Sequence, residues 1–62
     1  MPRFGLFEGN RLEEGTVCEG DYMETYTQEN LVKIMRKPKS LAQNDIEVAT
    51  FKLKPGQNVR EL

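Results

Sequence analysis

The sequence lacks the residues from which many small domains build a cross-link or a metal site. It contains no histidine and one cysteine, Cys18. A single thiol cannot form an intrachain disulfide, which excludes the disulfide-rich secreted scaffolds. A structural zinc site needs about four cysteine and histidine ligands, so it is excluded as well. We therefore expect neither a metal nor another cofactor.

Catalytic groups and signal segments are also scarce. No histidine is present to act as a base for Cys18, and no phosphate-binding glycine loop or nucleophile elbow occurs. We expect a protein that is not an enzyme. The sequence reaches Glu8 before an apolar run of signal-peptide length develops, and no run of 18 apolar residues follows. We expect a cytoplasmic location.

The short length limits how the chain can be stabilised. Residues 1–62 form one small domain, and such a domain buries only about 60% of its unfolded surface. Domains of this size often gain stability by associating with a partner. Association with another protein, or with a copy of itself, is therefore favoured.

Glycine and proline divide the chain into segments of strand length. Gly9-Asn10 is suited to the centre of a two-residue hairpin, and Pro55-Gly56 to the centre of a type II turn. Strands are predicted on both sides of these turns. They lie near residues 4–8, 11–18, 22–27, 31–36, 46–54 and 59–62, with a helical turn after Ser40.

Two of these segments are ambiguous. Leu31, Ile34 and Met35 fit helical spacing, but the segment is short and ends before Pro38, which favours a strand. In the segment 46–54 the apolar positions change phase, so either both faces are partly buried or a bulge lies near Val48-Ala49. The fold predicted is mainly β, a small antiparallel five- to six-stranded meander or SH3-like half-barrel. The alternative is an α+β fold with one helix at about 27–37.

The charges are divided unevenly along the chain. Residues 1–30 contain Arg3 and Arg11 against seven acidic residues, whereas residues 31–62 contain seven basic residues against three acidic ones. An antiparallel meander could place these charges on neighbouring strands, where they neutralise each other. Alternatively, the fold could keep an acidic face and a basic face that orient a charged partner.

Five residues are the candidates for binding a partner. Arg36, Lys37 and Lys39 form the densest basic cluster, and Tyr22 and Tyr26 would share a face of a strand or a helix. Such groups could contact an acidic protein surface or nucleic acid phosphates. The sequence pI near 5.3 is below the range typical of nucleic-acid-binding domains. The leading hypothesis is a small interaction or accessory protein that binds another protein through a sheet face or edge and a basic loop. The alternative is a small nucleic-acid-binding barrel.

Overall fold

A computed structural model describes residues 1–62 and shows seven strands with no helix. The mainly β prediction of a small antiparallel meander or half-barrel is confirmed, with seven strands in place of five or six. The strands are β1 (Arg3–Glu8), β2 (Arg11–Leu12), β3 (Cys18–Glu19), β4 (Tyr22–Tyr26), β5 (Leu31–Arg36), β6 (Ile46–Lys52) and β7 (Gln57–Glu61). They form two antiparallel sheets.

The first sheet is built around β1. Strand β7 pairs along one side of β1, while β2 and β3 pair in turn along its other side. The alternation of β1 places Phe4 and Leu6 towards the interior, and Phe7 on the outer surface. There the guanidinium of Arg60 lies 4.2 Å from the centre of the Phe7 ring.

The second sheet is the meander β4-β5-β6. Ile34 pairs with Ala49 whereas Met35 pairs with Glu47, so Val48 has no residue opposite it. This is the bulge, one of the two alternatives that the change of apolar phase left open. It allows Ala49 and Phe51 to pack against the core, while Val48 stays exposed.

The two sheets are joined at Gly20, between β3 and β4. The Gly20 N–H donates to Pro2 O at 3.1 Å, which continues the pairing with β1. The next N–H, that of Asp21, donates to Met35 O at 2.8 Å and begins the pairing with β5. Ile34 occupies the space that a side chain at Gly20 would need, so the crossing requires glycine.

The core between the sheets is small. Six of the 62 residues are buried, four of them hydrophobic: Phe4 and Val59 from the first sheet, Val32 and Ile34 from the second. Partly buried side chains, Phe51 among them, pack around this cluster. Full burial of one such side chain contributes about 1.5–3 kcal/mol to the free energy of unfolding. Since only four hydrophobic side chains are buried, the hydrophobic stabilisation of the fold depends on few residues.

The predicted strand 11–18 is divided in two. Glu13 to Val17 form a turn in which Gly15 has a φ of 79°. The turn is fastened by Thr16, whose Oγ1 accepts the Leu6 N–H and donates to Glu13 O. The Thr16 hydroxyl thus takes the place of the backbone carbonyl that a continuous strand would have offered to the Leu6 N–H of β1.

The predicted turns form, but the alternative helix does not. The Gln57 N–H donates to Lys54 O at 3.0 Å, and Gly56 has a φ of 84°, as a type II turn requires. The helix at about 27–37 is wrong, because residues 27–30 form the turn of a hairpin and Leu31–Arg36 is β5. After Ser40 there is a single hydrogen-bonded turn and no helix.

Candidate basic groove and tyrosine face

The basic cluster lies where β5 ends and the loop 37–45 begins. It lines an open groove of 530 Å³ between the start of β4, the end of β5 and the start of β6. The groove, called the basic groove below, is lined by Met1, Asp21, Arg36, Lys37, Pro38, Lys39, Gln43 and Ile46. The three predicted basic residues thus share one concave surface.

The cations of the basic groove are poorly paired within the chain. The only ion pair of the protein joins Lys33 and Glu47, on the second sheet. Arg36 Nη2 donates to Glu19 O over a long 3.4 Å, and Arg36 Nε is buried without a hydrogen-bond partner. Asp21, the one acidic residue of the lining, uses Oδ2 to accept the backbone N–H of Lys37 at 2.7 Å. None of the three positive side chains forms an ion pair, and the ammonium groups of Lys37 and Lys39 make no hydrogen bond within the chain.

Tyr22 and Tyr26 share the outer surface of the second sheet, here called the tyrosine face. Glu24 lies between them on the same strand, and β5 places Lys33 opposite Glu24. Because a strand rises about 3.3 Å per residue, the two tyrosines stand roughly 13 Å apart. Tyr22 adjoins the basic groove, while Tyr26 lies at the far end of β4.

Each tyrosine is fixed by one carboxylate and one lysine. The Tyr22 hydroxyl donates to Asp45 Oδ2, and Lys37 Nζ lies 6.0 Å from the centre of the Tyr22 ring. The pKa of Tyr22 is raised to about 12. The largest contribution comes from the hydrogen bond to Asp45 and the next from partial desolvation. These contacts tie both ends of the loop 37–45 to the same tyrosine.

Tyr26 repeats the arrangement at the other end of the face. Its hydroxyl donates to Glu24 Oε1 at 2.8 Å, and Lys33 Nζ lies 5.3 Å from its ring centre. The bond to Glu24 raises the pKa of Tyr26. Lys33 also pairs with Glu47 at 3.1 Å, which raises the pKa of Lys33. A phenol with the ordinary pKa of 10.0 is already a neutral donor at neutral pH, and the raised pKa values of both tyrosines extend that state to higher pH.

The structure thus brings together four of the five predicted residues. Lys37 belongs to the basic groove and covers Tyr22, whereas Tyr26 is separated from the cluster. The sequence patterns missed Gln43, Ile46 and the Asp45 partner of Tyr22. The period-two spacing could have placed Glu24 with the tyrosines, but Asp45 lies 23 residues from Tyr22 and only the folded meander joins them.

The acidic half of the chain (1–30) and the basic half (31–62) are paired with each other in the second sheet. In the second sheet Glu24 faces Lys33, which in turn bonds Glu47, so opposite charges neutralise one another at its centre. The basic groove at the end of the sheet keeps its positive charges.

The fold contains no helix that could cross a lipid bilayer. Comparison of the chain with protein-family models, with curated proteins and with solved structures gave no match.

Proposed function

We propose that this protein is a small non-enzymatic interaction protein whose basic groove binds an acidic segment of another protein. The observation that carries the proposal is that Arg36, Lys37 and Lys39 line one concave surface and that none of them forms an ion pair with an acidic residue. A cytoplasmic accessory role is consistent with the lone thiol of Cys18.

An acidic peptide fits the groove better than a single small anion. A second depression of 220 Å³ adjoins the basic groove, and the two share Lys37, Pro38 and Gln43. Asp45 also lines this depression, where its Oδ2 accepts the Tyr22 hydroxyl. Ile46, 51% exposed, and the fully exposed Leu41 offer apolar contacts beside the cations. An extended segment that alternates carboxylate and aliphatic side chains would engage both kinds of group.

Nucleic acid binding, the alternative, receives less support from the tyrosine face. The hydroxyls of Tyr22 and Tyr26 are bonded to Asp45 and Glu24, and these carboxylates would repel a phosphate backbone that approached the rings. Stacking of bases would also have to displace Lys33 and Lys37 from the rings.

The test is fluorescence anisotropy with three labelled probes. These are a peptide of alternating aspartate and leucine, the same peptide with asparagine for aspartate, and single- and double-stranded DNA. We expect the acidic peptide to bind and its affinity to fall as salt approaches about 150 mM. The double variant Lys37→Gln/Lys39→Gln should bind about tenfold more weakly, since each pair contributes up to about 1 kcal/mol.

The matched control is Arg11→Gln/Lys54→Gln. It removes the same charge from two side chains that make no hydrogen bond or ion pair and lie outside the basic groove. Because the wild-type net charge is -1, bulk attraction does not explain binding of an acidic peptide. Equal losses in both double variants, or tighter binding of DNA than of the acidic peptide, would contradict the proposal.

A further inference from the structure

We propose that the free edge of β4 pairs with β4 of a second copy of this chain. The pairing is antiparallel and two-fold symmetric, and it joins two second sheets into one continuous sheet of six strands. Strand β4 has β5 on one side and no strand on the other. Backbone N–H and C=O groups along such an edge are available to another strand. This surface is separate from the basic groove.

The free edges of β6 and β7 carry features that hinder pairing, and β2 and β3 are only two residues long. Strand β6 is interrupted by the bulge at Val48, and β7 ends in the charged pair Arg60 and Glu61. Bulges and edge charges are the means by which sheets avoid joining edge to edge. The edge of β4 has no bulge, proline or lysine, and its only charge is Glu24.

The charges of β4 complement those of a second copy when Thr25 lies on the two-fold axis. In this register Glu24 faces Tyr26 of the second copy, beside the Lys33 ammonium that covers that ring, and Met23 faces Thr27 at the start of the hairpin turn. Thr25 then faces Thr25, a cross-strand combination that favours sheets. A register centred on Glu24 would instead place two carboxylates opposite each other.

The short length of β4 limits the surface that the dimer buries. A pairing of five-residue strands falls short of the roughly 800 Å² that each partner contributes to a standard stable interface. Met23, 41% exposed, and Tyr26, 38% exposed, lie on opposite faces of this edge and would be covered. A reversible dimer in the micromolar range is expected.

Sedimentation velocity of the full chain, from about 10 μM to about 1 mM, tests for that reversible dimer. Met23→Lys places a charge at the edge and should weaken dimerisation about tenfold or more. The control, Asn58→Lys, adds the same charge to an exposed position on β7. A wild-type monomer across the whole range, or an equal loss in both variants, overturns the proposal.

Cross-linking tests the register independently of any effect on folding. In a Cys18→Ser background, mild oxidation should join Thr25→Cys into a disulfide-linked dimer, because Cβ atoms directly opposite each other lie about 5 Å apart. The control is Thr50→Cys, exposed on β6 of the same sheet. Preferential cross-linking at position 50, or none at either position, would refute pairing through β4.

Discussion

Ile34 occupies the position that a side chain at residue 20 would require. A Cβ at Gly20 would overlap Ile34 Cγ2 and would lie 3.0 Å from Met35 O. Ile34 is the most deeply buried large side chain, and Gly20 is the residue at which the chain passes from one sheet to the other. The packing of the core and the route of the backbone therefore depend on the same contact.

The first prediction compares two buried glycines. Gly20→Ala should lower the free energy of unfolding by about 1–3 kcal/mol, because the new methyl meets a core side chain and a backbone carbonyl that cannot move freely. Gly5→Ala also overlaps a neighbour, but that neighbour is the end of the exposed Leu12 side chain, which can rotate away. Urea denaturation should show the larger loss for Gly20→Ala. A larger loss for Gly5→Ala would show that Ile34 does not restrict residue 20.

The second prediction concerns the ion pair at the centre of the second sheet. A hydrogen bond from Thr50 and the pairing with Lys33 lower the pKa of Glu47 below its usual 4.5. Its contribution to stability is present above pH 4.5 and is lost as the pH falls through the lowered pKa. The contribution of Lys33, whose pKa is raised above 10.5, is lost only as the pH rises through that raised value.

Thermal denaturation across the pH range tests this prediction. Glu47→Gln should lower Tm between these two limits, and the difference from wild type should shrink in acid. Glu14→Gln is the control, because Glu14 makes no side-chain hydrogen bond or ion pair. A Tm difference for Glu47→Gln that does not change with pH would show that the ion pair is not its cause.

The third prediction concerns the bond between Tyr22 and Asp45. In a Tyr26→Phe background, phenolate absorbance should titrate with a pKa of about 12. Asp45→Asn should move this pKa towards the usual 10.0, because the acceptor loses its charge. Since the folded-state pKa is raised, the bond stabilises the fold below pH 10.0 and is lost as the pH rises through about 12.

Glu24→Gln in the same Tyr26→Phe background is the matched control. Glu24 acts on Tyr22 only through a weaker coulombic effect, so this variant should shift the pKa of Tyr22 less than Asp45→Asn does. Equal shifts in the two variants would mean that general negative charge, rather than the hydrogen bond, raises the pKa. The comparison also tests whether Asp45 fastens the loop 37–45 to β4.

Local signals in the sequence identified several elements correctly. Pro55-Gly56 predicted its turn because proline fixes φ and glycine permits a positive φ. The change of apolar phase near Val48 indicated either a bulge or two partly buried faces, and the bulge forms. Pro38 and the short length of the segment favoured a strand at Leu31–Arg36 over a helix, as the structure shows. Each of these features depends on residues close together in the chain.

Other features required contacts between distant residues. The predicted strand 11–18 divides because the Thr16 hydroxyl binds the backbone of β1, ten residues away. The five candidate binding residues gave no indication that Tyr26 would be separated from the basic cluster. Their separation follows from the length of β4 and from the position at which β5 ends.

The sequence alone determined that the chain is short, has no intrachain disulfide and turns at defined glycine and proline positions, and it favoured a mainly β fold over an α+β fold, because composition and backbone preference are local properties. The tertiary structure decided which surfaces those strands share. It placed the sheet crossing at Gly20, gathered three cations around one groove and gave Tyr22 its acceptor in Asp45. Hydrogen bonds and steric overlap act over a few ångströms, so such relationships arise only when packing brings distant residues into contact.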